Sequence, residues 1–205
     1  MLTYEQQLSA DRRLALREGS MHFEGESGVH KALERICRAL DERSIPYCIL
    51  GGMALFFHGY RRFTEDVDLL VTPDGLKAIS EELTGRGYLP PFSGSRNLRD
   101  TETGVRIEFV MTGEYPGDGK PKPVAFPSPE ANVVEIDGMR FVTLPKLIEL
   151  KLASGISNPR RARDLADVQE LIALLRLPAD FQNQLDASVR DKYAELQKIV
   201  QDYPE

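Results

Sequence analysis

The spacing of apolar positions divides the chain into alternating helical and extended segments. In "VHKALERICRALDER", Val29, Leu33, Ile36, Cys37 and Leu40 recur at the period of a helix with one buried stripe. Pro46 ends that stripe, and "YCIL" reads as a short buried strand. Gly51-Gly52 interrupts, and "MALFFHGY" predicts a short helix ended by Gly59. "DVDLLV" is a second strand, stopped by Pro73. "PDGLKAISEELTGRG" follows as an amphipathic helix with Pro at its start and Gly at its end. "LRDTETGVRIEFVM" predicts a strand pair turning near Thr103-Gly104. "VVEI" and "MRFV" flank Asp137-Gly138, a hairpin turn signal. Between these pairs, from Thr112 to Pro129, "TGEYPGDGKPKPVAFPSP" is too rich in Pro and Gly for regular structure. A loop of that length in a compact domain is usually functional or disordered.

Residues 3 to 18 are helix formers with weak periodicity, and predict one peripheral helix. After Leu144 the pattern is helical to the end, with breaks at Gly155 to Pro159 and at Pro178. The order of elements predicts an α+β fold, a mixed β-sheet core flanked by helices. Its expected parts are a peripheral N-terminal helix over 1–27, the core over 28–143, and a C-terminal helical region over 144–205 packed on the core.

Strand residues alternate faces. In "DVDLLV", Val67, Leu69 and Val71 share one face, which leaves Asp66 and Asp68 on the other. In "VRIEFV", Val105, Ile107 and Phe109 share one face, with Arg106 and Glu108 opposite. If the two strands are neighbours, Asp66, Asp68 and Glu108 converge on one open face. Repulsion there raises at least one carboxylate pKa unless a divalent cation neutralises the group. Oxygen ligands completed by water and substrate phosphate suit Mg²⁺ or Mn²⁺. A D-x-D alone most often marks a solvated strand end. Gly51 and Gly52 add to it a turn where backbone amides and the helix dipole favour an anion. With no side chain in the way, a phosphate can approach the main chain there.

"GGMALFFHG…RRFTEDVDLLV" resembles the signature of the DNA polymerase β-type nucleotidyltransferase superfamily, in its small bacterial AbiEii-like branch. That pattern is a Gly pair opening a helix, then R-x-T-x-D-[IV]-D, then a third carboxylate on a later strand. The resemblance places Gly51 and Gly52 on the Gly pair, and Arg62, Thr64, Asp66 and Asp68 on the second block. Glu108 is the third carboxylate, where the family more often carries Asp. "LPKLIELKLASG…RRARDLADVQEL" resembles the family's helical segment, with Lys151 meeting the triphosphate and Arg163, Asp164 and Asp167 in the following stretch. What the resemblance implies is transfer of a nucleoside monophosphate from an NTP to a hydroxyl or phosphate acceptor, with release of pyrophosphate. Asp66, Asp68 and Glu108 would be catalytic and hold Mg²⁺ or Mn²⁺, while Gly51, Gly52, Arg62, Thr64 and Lys151 would bind the nucleotide. The acceptor stays open among tRNA, a protein and a small molecule. The AbiEii-like branch adds a toxin-like role and an antitoxin partner. The resemblance spans residues 47 to 175.

The remaining residues around these motifs have plainer readings beside the functional ones. Arg163 with Asp167 has the spacing of a surface i,i+4 ion pair. Arg160, Arg161 and Arg163 could instead grip phosphates. His58 reads as a structural histidine, and Lys120 and Lys122 either solvate the Pro-Gly loop or fold over a nucleotide. The rival to the enzyme is a catalytically impaired module that binds a nucleotide or a partner.

A net charge of −6 argues against a dedicated duplex-DNA surface. Cys37 and Cys48 sit in apolar contexts and read as reduced core residues of a reducing compartment. The first residues lack the apolar run of a signal peptide, and Cys48 to Phe57 is too short to span a membrane. The expectation is a soluble cytoplasmic protein without a membrane partner.

Overall fold

The computed structural model describes residues 2–203; Met1 and the last two residues of the expected terminal segments lie outside it. Helices α1 (Tyr4–Ala10), α2 (Arg12–Glu24) and α3 (Gly28–Asp41) precede strand β1 (Tyr47–Ile49). Helix α4 (Gly51–Phe57), strand β2 (Asp66–Val71) and helix α5 (Pro73–Leu83) follow. Strands β3 (Tyr88–Leu89), β4 (Leu98–Asp100), β5 (Arg106–Met111), β6 (Val133–Ile136) and β7 (Met139–Val142) come next. The chain ends in α6 (Leu144–Ser157), α7 (Ala162–Leu175) and α8 (Ala187–Asp202), which pack on one another.

The seven strands form one mixed sheet in the order β3-β4-β5-β2-β1-β7-β6. β2 pairs antiparallel with β1 and parallel with β5, so the two strands carrying the acidic residues are neighbours. The alternation read from the sequence holds on them. Val67, Leu69, Ile107 and Phe109 are buried, while Asp66, Asp68 and Glu108 are only partly so. The α3 stripe, Val29, Leu33, Ile36, Cys37 and Leu40, is buried along its whole length. The β6–β7 hairpin turns through Asp137 and Gly138, both at positive φ, the geometry that matches the twist of the flanking strands. Cys37 and Cys48 are free and buried, and burial pushes both thiols up to about 12, which keeps them unreactive. Among the described residues, no helix is long and apolar enough to cross a membrane.

The N-terminus differs from the single peripheral helix expected over residues 3 to 18. Asp11 leaves the helical conformation and its carboxylate accepts from the amides of Arg13 (2.8 Å) and Leu14 (3.1 Å), starting α2 afresh. The two helices are tied down. Tyr4 and Leu8 are buried, and the Glu18 carboxylate accepts from the Tyr4 hydroxyl at 2.7 Å and the Gly28 amide at 2.8 Å. Strand β3, two residues long, has no counterpart in the sequence reading.

Candidate active site

Parallel pairing sets Asp66 opposite Arg106 and Asp68 opposite Glu108. All four side chains line one cavity of about 870 Å³, together with Gly51, Gly52, Arg62, Thr64 and Lys151. The eight residues expected to be catalytic or to bind the nucleotide therefore border the same space.

The Gly pair is required by what presses on it. A Cβ at Gly51 would lie 1.7 Å from the Asp68 Oδ2, and Gly51 also has φ +59, a conformation costly for other residues. A Cβ at Gly52 would lie 2.6 Å from the Thr64 Oγ1. Leu50, at the N-cap of α4, offers no side-chain cap to the first amides of the helix. Thr64 is buried and its hydroxyl donates to Asp66 Oδ1 at 2.8 Å, which orients that carboxylate.

Burial pushes the Asp68 carboxyl up, and the charges of Asp66 and Glu108 push it further, to about 7; Lys151 and Arg161 oppose them. The set is deficient in positive charge and holds only oxygen donors, the chemistry a hard divalent ion satisfies. Among the described residues no three His, Cys, Asp or Glu side chains stand together as a ready ligand set. Arg106 bears on this directly. Its Nη2 lies 2.9 Å from Glu108 Oε1 and 3.2 Å from Asp66 Oδ2, so one guanidinium spans both carboxylates. Face alternation along β5 puts Arg106 on this side of the sheet, but nothing in the residue pattern announces the bridge.

The opposite wall comes from α6 and α7. Lys151 is 7% exposed, and its Nζ donates to Asp164 (2.8 Å) and Asp167 (2.7 Å). Arg62 grips the same Asp167 with Nε at 2.9 Å and Nη2 at 3.1 Å. The Ser154 hydroxyl donates to Asp164 at 2.6 Å. Burial raises the Asp164 carboxyl, but Lys151 and Ser154 more than offset it and hold it below the usual range. Asp167 thus turns inward, away from the surface pair with Arg163 that its spacing suggests, because Arg62 and Lys151 meet it in the interior. Arg62 and Lys151 border the cavity with their charged ends already engaged. Arg160, Arg161 and Arg163 lie at the same cavity.

The Pro-Gly loop closes the remaining side through Tyr115, Pro116, Gly117 and Phe126. Lys122 neither dangles in solvent nor enters the cavity; its Nζ donates to the Pro116 carbonyl and to Ser157 Oγ at 2.9 Å, pinning the loop to the end of α6. Gly117 passes so close to α6 that a Cβ there would meet the Ser157 Oγ at 2.2 Å. His58 is structural, its Nε2 bonded to the Val142 carbonyl at 2.7 Å.

No family model matches the chain, and no curated protein matches it. Among solved structures, the solution structure of the antibiotic-resistance factor ANT(2'')-Ia aligns at TM-score 0.51 and 20% identity, over 83% of this chain and 96% of that one. The crystal structure of ANT(2'')-Ia in complex with adenylyl-2''-tobramycin aligns at TM-score 0.50 and 17% identity, over 82% and 97%. The likeness is one of fold: this chain shares the α+β architecture of these two structures, a mixed sheet flanked by helices with a helical C-terminal part.

Proposed function

We propose that this chain is a metal-dependent nucleotidyltransferase that moves a nucleoside monophosphate from an NTP to a hydroxyl or phosphate acceptor. The observation that carries the reading is the pairing of Asp68 with Glu108 across β2 and β5, with Asp66 beside them and Gly51-Gly52 on the same cavity. Asp66, Asp68 and Glu108 would hold Mg²⁺ or Mn²⁺. Bound there, the ions would supply positive charge against the phosphates and against the attacking and leaving oxygens.

The chain's own groups do the rest. The amides at Gly51 and Gly52, free of side chains and of a side-chain cap, donate to the terminal phosphates. Thr64 keeps Asp66 turned toward the cavity. Lys151, fixed by Asp164 and Asp167, adds positive charge to the phosphate side, and Arg62 holds Asp167 in place for it. The acceptor oxygen forms its bond to the α-phosphorus, the bond from that phosphorus to the bridging oxygen breaks, and pyrophosphate leaves. Glu108 takes the acceptor's proton, given hydrogen-bond reach.

Incubation with each α-labelled NTP and cell lysate tests this. Label transfer with pyrophosphate release is expected from the native chain, and none from Asp66→Asn or Asp68→Asn with unchanged circular dichroism. Retained transfer in both variants overturns the assignment. A second reading, a nucleotide- or partner-binding module without catalysis, is favoured by the Arg106 bridge across two of the three acids. It predicts NTP binding by calorimetry without pyrophosphate release. The AbiEii-like branch, with a toxin-like role and an antitoxin partner, rests on the R-x-T-x-D-V-D motif. It predicts growth arrest on expression that Asp68→Asn relieves, and harmless expression removes it.

A further inference from the structure

We propose that Arg106 is a built-in cation that competes with the divalent ion, and that Glu5 on α1 is its alternative anchor. The N-terminal helix thereby sets how tightly the site holds metal. The inference rests on the metal-dependent reading of the same site.

Three observations meet here. Arg106 Nη2 takes one oxygen from Asp66 and one from Glu108, at 3.2 and 2.9 Å. A divalent ion ligated by those carboxylates approaches a carboxylate oxygen at far shorter range, about 2.0–2.1 Å for Mg²⁺. A guanidinium held against both carboxylates is repelled by a cation that close. Arg106 also has somewhere to go. Among the described residues its Nε is buried without a hydrogen-bond partner, and it lies 3.8 Å from Glu5 Oε1, an ion pair just beyond bonding distance. A shift of under an ångström toward Glu5 completes that bond.

Glu5 is held ready to receive it. Arg99 donates to both Glu5 oxygens, at 3.0 and 3.4 Å, and also to the Gly104 carbonyl at 2.9 Å. The Tyr4 amide donates to that same carbonyl at 3.4 Å, seating the start of α1 on the β4–β5 turn. The chain of charge runs Arg99, Glu5, Arg106, then Asp66 and Glu108. α1 lies outside the stretch that carries the family resemblance, so it brings to the site something the motifs do not encode. In the metal-free state Arg106 offsets part of the charge of the two carboxylates; when metal enters, Glu5 takes the displaced guanidinium.

The test is direct binding of Mn²⁺ to the full chain, read from the electron paramagnetic resonance of free Mn²⁺, with no turnover involved. Arg106→Gln is expected to bind Mn²⁺ on the order of tenfold more tightly than the native chain, since a repelling charge is gone. Glu5→Gln is expected to bind it more weakly, because the displaced guanidinium loses its anchor. In the Arg106→Gln background, Glu5→Gln should change the affinity little, because there is no guanidinium left to receive. Thermal melts of all variants check that the fold is kept. Asp68-dependent Mn²⁺ binding that Arg106→Gln leaves equal or weaker overturns the gate alone. A Glu5→Gln effect that persists without Arg106 also overturns it alone. Absence of Asp68-dependent binding in native and Arg106→Gln proteins overturns both the gate and the metal-dependent reading.

Discussion

Lys151→Met removes one ammonium and little else, since methionine can follow the path of the lysine stem. The charge it removes serves two carboxylates. Asp167 is 2% exposed and keeps only the Arg62 fork, while Asp164 keeps the Ser154 hydroxyl and Arg161 at 3.7 Å. Breaking a buried ion pair by deleting one partner costs about 3–5 kcal/mol, because the other partner stays buried without its counter-charge. For a chain of this size that corresponds to a fall in melting temperature of about 6–20 °C. The pH dependence has a defined sign. The Asp164 carboxyl lies below its unfolded value in the native fold, so its contribution is complete above the ordinary carboxylate pKa and is lost as pH falls through the folded value. Lys151 is the main cause of that lowering, so the native chain loses more stability on acidification than Lys151→Met does. Urea unfolding at pH 7 and again below pH 3 reads both effects: the gap between the two proteins should be widest at pH 7 and narrow in acid. A gap below about 1 kcal/mol at neutral pH, with an unchanged urea slope, would put the pair in the class of exposed ion pairs and refute the argument.

Two further outcomes are expected. Gly51→Ala places a methyl against the Asp68 carboxylate in a left-handed backbone; it should cost about 1–3 kcal/mol in urea unfolding and abolish label transfer, and near-native transfer would contradict the steric account. Burial, with a smaller push from His22, lowers His30 to about 4, so the unfolded chain takes up a proton that the native fold refuses. Stability from this source is complete above about pH 6.5 and falls by roughly 3 kcal/mol on the way to pH 4. His30→Asn should flatten that part of the stability–pH curve, and an unchanged slope would show that the imidazole does not contribute it.

Much of the architecture is legible in the residue pattern because it is local. Strand β2 begins at Asp66 and ends at Val71, as the alternation and Pro73 require, and the α3 stripe is buried as its period requires. That Asp66, Asp68 and Glu108 share one face of the sheet and line one cavity follows from face alternation once β2 and β5 are neighbours. What escapes is non-local pairing. Arg62 and Asp167 are 105 residues apart and Arg106 and Asp66 are 40 apart, and no periodicity relates such partners. Asp167 reads as a surface partner of Arg163 because helical spacing sees only its own helix. The break at Asp11 is a capping event inside a run of good helix formers, and propensity is too weak a guide to place it.

Crystals grown with Mn²⁺ and a non-hydrolysable NTP analogue, measured at the manganese absorption edge, test the central claim most directly. Anomalous density bounded by Asp66, Asp68 and Glu108, with the analogue's phosphates at Gly51 and Gly52, is the expected result. Manganese or nucleotide bound away from these residues, with Arg106 still bridging Asp66 and Glu108, would contradict it.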